Sequence, residues 1–110
     1  MKKVYNKLIR DRIPEIIEKD GAIFKTRVLD DDDFKTELLK KLLEEAQEVV
    51  GAKDDGKELV KELGDILEII DYIAKSFDLE KSEIERVKAE RKNSRGGFDK
   101  KLFLEYTDNV

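Results

Sequence analysis

The sequence predicts a mainly α-helical protein, an antiparallel helical bundle with a small two-stranded β element. Three observations carry that expectation. Apolar residues recur at helical spacing along two long segments. Aspartate-rich starts and a Gly-containing break bound those segments. Two short runs rich in β-formers, about residues 22–29 and 101–106, stand outside them.

The elements follow in order. Pro14 suits a first helical turn, and Gly21 suits a helix stop, which gives a short helix within residues 5–20. Ala22 to Leu29 alternate in part and read as a strand. Asp30 to Asp33 then supply a cap and an acidic first turn for a long helix over about 32–52. Capping accounts for these four aspartates without a metal. Leu38, Leu39, Leu42, Leu43, Ala46, Val49 and Val50 form the apolar face of this helix. Lys53-Asp54-Asp55-Gly56 breaks the chain before a second long helix over about 57–77. Its buried face is marked by Leu59, Leu63, Ile66, Leu67, Ile70, Ala74 and Phe77, broadened by Ile69 and Ile73. A thinner third helix starts near Glu80 or Ser82 and runs to about Asn93. Arg95-Gly96-Gly97-Phe98 reads as a turn, and Lys101 to Tyr106 as a second strand that pairs with the first, because a lone strand leaves its backbone unsatisfied.

Composition narrows the chemistry. The 110 residues suit one domain, 1–110, with a modest core that oligomer contacts would extend. Charged residues reach 45% of the chain, and the 39% that are hydrophobic are periodic, so the chain folds rather than staying disordered. A net charge of −4 and the absence of a basic patch with interleaved aromatics argue against binding nucleic-acid polymers. There is no cysteine and no histidine, which removes thiol nucleophiles, imidazole bases and zinc sites of the usual nitrogen and sulfur type. No apolar run approaches the roughly 20 residues that span a bilayer, and Met1 to Asn6 lack a signal-peptide stretch. The expected location is therefore the cytoplasm, with no membrane partner.

What remains is carboxylates, and their arrangement is specific. Glu44, Glu45 and Glu48 lie in the first long helix, Glu62 and Asp65 in the second. A helix advances about 100° per residue. With Leu38 at zero, the apolar stripe covers roughly 0–140°, with Glu45 at about 340°, Glu48 at about 280° and Glu44 at about 240°. With Leu59 at zero, Ile69 falls at about 280°, Ile73 at about 320° and Ile66 at about 340°. Glu62, at about 300°, lies inside that apolar arc, while Asp65 lies one step out at about 240°. Acids spaced i,i+3 repel unless something neutralises them. For any one of them, a salt bridge or a solvated helix edge is the ordinary explanation. Their joint placement on two helices joined by a short loop favours a shared pocket and a bound cation. An all-oxygen donor set suits a hard divalent ion, Mg²⁺ foremost and Mn²⁺ next. Magnesium commonly completes its shell with waters and substrate phosphates, which points to a polyphosphate.

Glu44-Glu45-x-x-Glu48 followed, across a short loop, by Glu62-x-x-Asp65 resembles the EExxE…ExxD signature of the all-α nucleoside triphosphate pyrophosphohydrolases. Asn6 to Pro14 and the Lys88…Lys92…Arg95-Gly96-Gly97-Phe98 stretch resemble flanks of the compact MazG-like, phosphoribosyl-ATP-pyrophosphohydrolase-like members. The resemblance covers most of the chain and implies a single MazG-like domain with the helical fold of that superfamily. It implies Mg²⁺-dependent hydrolysis of a nucleoside triphosphate to monophosphate and pyrophosphate, as in clearing nucleotide pools. Glu45, Glu48, Glu62 and Asp65 are then metal ligands, with Glu44 a ligand or a water-orienting base. A homodimer or homotetramer with sites near subunit boundaries is also implied. The chain lacks the histidine often found after the acidic motif in phosphoribosyl-ATP enzymes, where Glu68 to Asp71 stand, which counts against a role in histidine biosynthesis.

Side-chain chemistry adds roles around that core. Glu44 or Glu48 would take a proton from water. Lys7, Arg10 and Arg12 are candidates to neutralise substrate phosphates, as are Lys88, Lys92 and Arg95, although a solvated helix face explains the second group well. Tyr5 and Phe98, beside these basic stretches, are the aromatics placed to stack on a base. The sequence leaves two alternatives open: hydrolysis of another pyrophosphate-containing nucleotide such as phosphoribosyl-ATP, and a non-catalytic helical oligomerisation or binding module.

Overall fold

A computed structural model describes residues 1–109. Four helices organise them: α1 (Ile13–Lys19), α2 (Asp31–Gly51), α3 (Gly56–Ser76) and α4 (Lys81–Arg95). The chain forms two compact units, Met1–Leu79 and Glu80–Val110. The first holds α1, α2 and α3, and the second holds α4 and the segment after it.

Local chemistry sets each boundary. The Asp30 carboxylate accepts the Asp33 backbone N–H at 2.8 Å, and Asp31, Asp32 and Asp33 fill the first turn of α2 beside its positive pole. The Asp55 carboxylate accepts from the Lys57 and Glu58 backbone N–H groups at 3.1 and 3.2 Å, which starts α3 after the brief connection Ala52 to Asp55. So short a connection folds α3 back along α2. Pro14 sits in the first turn of α1. That helix starts around Pro14 and stops before Gly21, as expected, and residues 5–12 before it form no helix.

α1 and α3 both end in a left-handed residue. Gly21 at φ 77° lets its own N–H reach the Glu18 carbonyl and the Ala22 N–H reach the Ile17 carbonyl. Asp78 does the same for α3 at φ 55°, with Leu79 N–H on the Ala74 carbonyl at 2.8 Å. α4 ends at Gly96, φ 82°, with Lys92 and Arg95 in its last turn, where cations complement the helix dipole.

The expected two-stranded element is absent: the described residues form no strand. Residues 22–29 and 101–106 are irregular, and Ile23, Val28, Leu102, Phe103, Leu104 and Tyr106 are exposed. A two-stranded pair is marginal unless a helix or further strand covers its apolar side, and these side chains have no such cover. Lys101, at φ 57°, also turns the chain where the second strand was expected to begin.

The core lies along the α2–α3 contact and is small. Leu38, Ala52, Ile69 and Ala74 are buried, while Leu42, Val49, Leu59, Ile66, Ile70 and Ile73 are half-buried. Leu39, Leu43, Val50, Leu63, Leu67 and Phe77, all expected on buried faces, are exposed. The apolar stripe of each helix is wider than one antiparallel neighbour can cover. No helix is long and apolar enough to cross a membrane.

Replacing the α2 cap isolates one of these contributions. Asp30→Ala should cost about 1 kcal/mol, a fall of roughly 4–8 °C in Tm followed by circular dichroism. An unchanged Tm would show that the other aspartates of the first turn satisfy the helix end unaided.

Candidate active site

Glu45 on α2 meets Glu62 and Asp65 on α3. One carboxylate oxygen from each lies within 4.8 Å of the others. The packing that buries Leu38 and Ile69 produces this convergence, because Glu45 borders the apolar stripe of α2 and Glu62 lies within that of α3. Glu62 is buried at 8% exposure, among the isoleucines of α3. Asp65, three residues on, projects from the next turn along the same side.

Little positive charge reaches the inner acids. Lys41 Nζ lies 4.0 Å from Glu45 Oε1, and Lys61 Nζ lies 3.9 Å from Glu62 Oε1. The second oxygen of Glu45, Oε2, is buried and has no hydrogen-bond partner. Burial pushes the Glu45 carboxyl up to about 7, helped by hydrogen bonding with Glu62 and by the charges of Asp65 and Glu62. With both glutamates ionised there is no donor between them, so that bond forms only when one carries a proton. A buried, unpartnered carboxylate oxygen on a residue that meets two further carboxylates is an environment that a cation would complete. Oxygen donors alone, with no nitrogen or sulfur, fit a hard divalent ion.

The other sequence candidates take different positions. Glu44 stands outside the cluster and receives Lys7 Nζ at 3.2 Å and Lys41 Nζ at 3.5 Å. Burial pushes its carboxyl up, but the Lys7 hydrogen bond and the Lys41 charge outweigh burial and hold it below the usual range. Glu48 is exposed and lines an open cleft with Gln47, Gly51, Ala52, Asp55, Glu58 and Glu62. Glu62 thus faces both the cluster and this cleft.

The N-terminal segment lies against the same helices. Arg10 Nη2 donates to Asp65 Oδ1 at 3.0 Å and to Glu68 Oε1 at 2.6 Å. Tyr5 stacks beneath two ammonium groups, Lys3 at 5.0 Å and Lys7 at 5.7 Å from the ring centre. Arg12 is the N-cap residue of α1, and its side chain makes no cap bond. Lys88, Lys92 and Arg95 belong to α4 in the second unit, where Lys88 pairs with Glu85 at 3.7 Å. Phe98 follows them, fully exposed.

Glu68 is the member that sequence reasoning missed as a functional candidate. Its signal was available as the third acid of the i,i+3 series Glu62, Asp65, Glu68. The partner that gives it meaning lies 58 residues away.

Two helices that pin inward-facing carboxylates from an ExxE and an ExxD segment define a helical acid-cluster site. The family model for the MazG nucleotide pyrophosphohydrolase domain matches residues 34–93, and the chain belongs to that family. The match contains Glu45, Glu62 and Asp65, and with it comes nucleotide pyrophosphohydrolase as the general activity. No curated protein and no solved structure matches the chain.

The raised Glu45 carboxyl makes a pH prediction for the ligand-free protein. Its ordinary value is 4.5 and its folded value about 7, so between these the folded state holds more protons than the unfolded state. Acidification through that window stabilises the fold, and alkalinisation costs stability. Glu45→Gln should therefore raise Tm near pH 8 by roughly 4–8 °C, about 1 kcal/mol. The gain should vanish near pH 4, where wild-type Glu45 is protonated in both states. A difference that persists at low pH would assign the effect to packing instead.

Proposed function

We propose that the protein is a Mg²⁺-dependent nucleoside triphosphate pyrophosphohydrolase that cleaves an NTP or dNTP to the monophosphate and pyrophosphate. The observation that carries this reading is the meeting of Glu45, Glu62 and Asp65, one of which, Glu45, keeps a buried carboxylate oxygen with no hydrogen-bond partner. Family membership supplies the reaction class, and the donor set supports the ion, with Mn²⁺ the nearest substitute.

Glu45, Glu62 and Asp65 would hold the ion, with Glu48 and Glu44 as further carboxylates within the same two turns of α2. When bound, such an ion polarises phosphate oxygens and lowers the pKa of a coordinated water. The chain's own residues do the rest. Glu48, exposed in the cleft that Glu62 also lines, accepts the proton of the attacking water. Glu44 is the second proton acceptor, and the charges of Lys7 and Lys41 keep it ionised. Lys7, Arg10 and Arg12 bind the phosphates, and their charge stabilises the pyrophosphate as it leaves. Lys88, Lys92 and Arg95 are a second set of phosphate contacts. The nucleotide is the substrate partner, and the cytoplasm, where nucleotide pools are held, is the site of action.

We propose further that the protein is a homo-oligomer, a dimer or a tetramer. The uncovered apolar residues Leu39, Leu43, Val50, Leu63 and Leu67 on α2 and α3 support it, since a second copy brings the same stripe to meet them.

Three measurements test these readings. Purified protein with Mg²⁺ should release pyrophosphate from at least one member of an NTP and dNTP panel, and a folded protein that turns over none of them removes the enzyme reading. Glu62→Gln should lower kcat/KM by more than about 100-fold and weaken Mg²⁺ binding, with helix content unchanged. Full activity in that variant would make Glu62 structural. Light scattering coupled to size exclusion should give a mass of two or four chains, falling towards one chain in Leu43→Lys/Leu67→Lys; a monomeric wild type overturns the assembly.

A further inference from the structure

We propose that Arg10 is the cation this chain presents to a polyphosphate beside the acid cluster, and that Glu68 is the positioning residue that holds it there. The inference rests on the nucleotide reading above, and it names which of the N-terminal cations acts and what aims it.

Among Lys7, Arg10 and Arg12, only Arg10 touches a member of the cluster. Its Nη2 alone makes both contacts, one to Asp65 and one to Glu68. The hydrogens on Nε and Nη1 are not used in these bonds, and the side chain is 58% exposed. With Nη2 held by the two carboxylates, the Nε and Nη1 hydrogens remain as separate charged donors, each able to bind a phosphate oxygen. Its backbone is fixed too, because the Arg10 carbonyl accepts the Ile13 N–H at 3.1 Å at the head of α1. Lys7 is less suitable, being a point charge already on Glu44 and over the Tyr5 ring.

Glu68 does the holding. It makes the shorter of the two bonds to Arg10 and lies outside the Glu45–Glu62–Asp65 cluster, so its carboxylate is free of any duty to the cation. If Asp65 coordinates an ion through its other oxygen, its bond to Arg10 weakens, and Glu68 then keeps the guanidinium in place. Charge alone predicts the opposite role, because an acid beside a polyanion site should repel the ligand. That difference in sign makes the proposal testable.

The probe is inorganic tripolyphosphate, titrated by calorimetry into the Mg²⁺-loaded full chain. Arg10→Ala should weaken binding about tenfold or more, and Arg10→Lys should recover only part of it, since one ammonium on a flexible stem cannot keep the two carboxylates and still present separate, fixed donors to phosphate. Glu68→Ala should weaken binding several-fold although it removes a negative charge. Its Tm should stay near the wild-type value, since alanine suits a helical position and an ion pair at this partly solvated site contributes little to stability. Glu68→Gln, which keeps an oxygen acceptor for Arg10, should restore much of the loss. Adding Glu68→Ala to Arg10→Ala should cause no further loss, because Glu68 acts through Arg10 and without it leaves only repulsion. Equal or tighter binding by Glu68→Ala overturns the proposal, as does unchanged binding by Arg10→Ala or a wild type that does not bind tripolyphosphate. If the variants follow this pattern while no NTP is hydrolysed, the hydrolase reading fails and the positioning role stands. If NTPs are hydrolysed with a KM indifferent to Glu68→Ala, the positioning role fails and the hydrolase reading stands.

Discussion

The mutual repulsion of three acids gathered between α2 and α3 is the constraint around which the first unit is arranged. Bringing Glu45, Glu62 and Asp65 within 4.8 Å of one another in a partly dry groove opposes folding. The chain distributes the cost. Lys41 and Lys61 approach at about salt-bridge distance, Arg10 takes one oxygen of Asp65, and Glu45 is biased towards its protonated form. Hydrophobic contact elsewhere along the same helices must offset what is left, and Leu38, Ile69 and Ala74 supply it. Such a site keeps a repulsion that a bound cation would offset.

The N-terminal segment has a place in this balance that composition would not suggest. Residues 5–12 form no regular structure, yet Lys7 and Arg10 reach Glu44, Asp65 and Glu68 on two different helices. Exposed ion pairs of this sort contribute little to stability individually. Their value lies in where they put charge, since Arg10 sets a cation against Asp65 of the acid cluster and Lys7 sets one on Glu44 beside it.

Much of this was legible in the sequence where the causes are local. α2 and α3 start within a residue of their expected positions because Asp30 and Asp55 are strong caps with nothing competing for their side chains. Helical periodicity put Glu45 at the edge of its stripe and Glu62 within its own, and both are largely covered in the structure. Long-range effects were not legible. The pairing of residues 22–29 with 101–106 depended on surroundings that periodicity cannot describe, and these segments remain irregular. The same holds for the division of the five acids. Spacing along α2 set Glu48 and Glu44 further from the apolar stripe than Glu45, but it held no sign that Glu44 would meet Lys7, 37 residues distant. The width of the apolar stripes was visible, but what would cover their outer halves was not.

The donor set has one more consequence. The cluster contains only carboxylate oxygen, and the chain's single sulfur atom is at Met1, with no cysteine or histidine anywhere. Soft and borderline metals, which compete so well for thiolate and imidazole, meet neither of their preferred ligands here. Oxidants likewise find no thiol at the site to convert to sulfenic acid or disulfide. The same economy of residue types leaves hard, oxygen-seeking cations as the ions that the cluster's donors suit best.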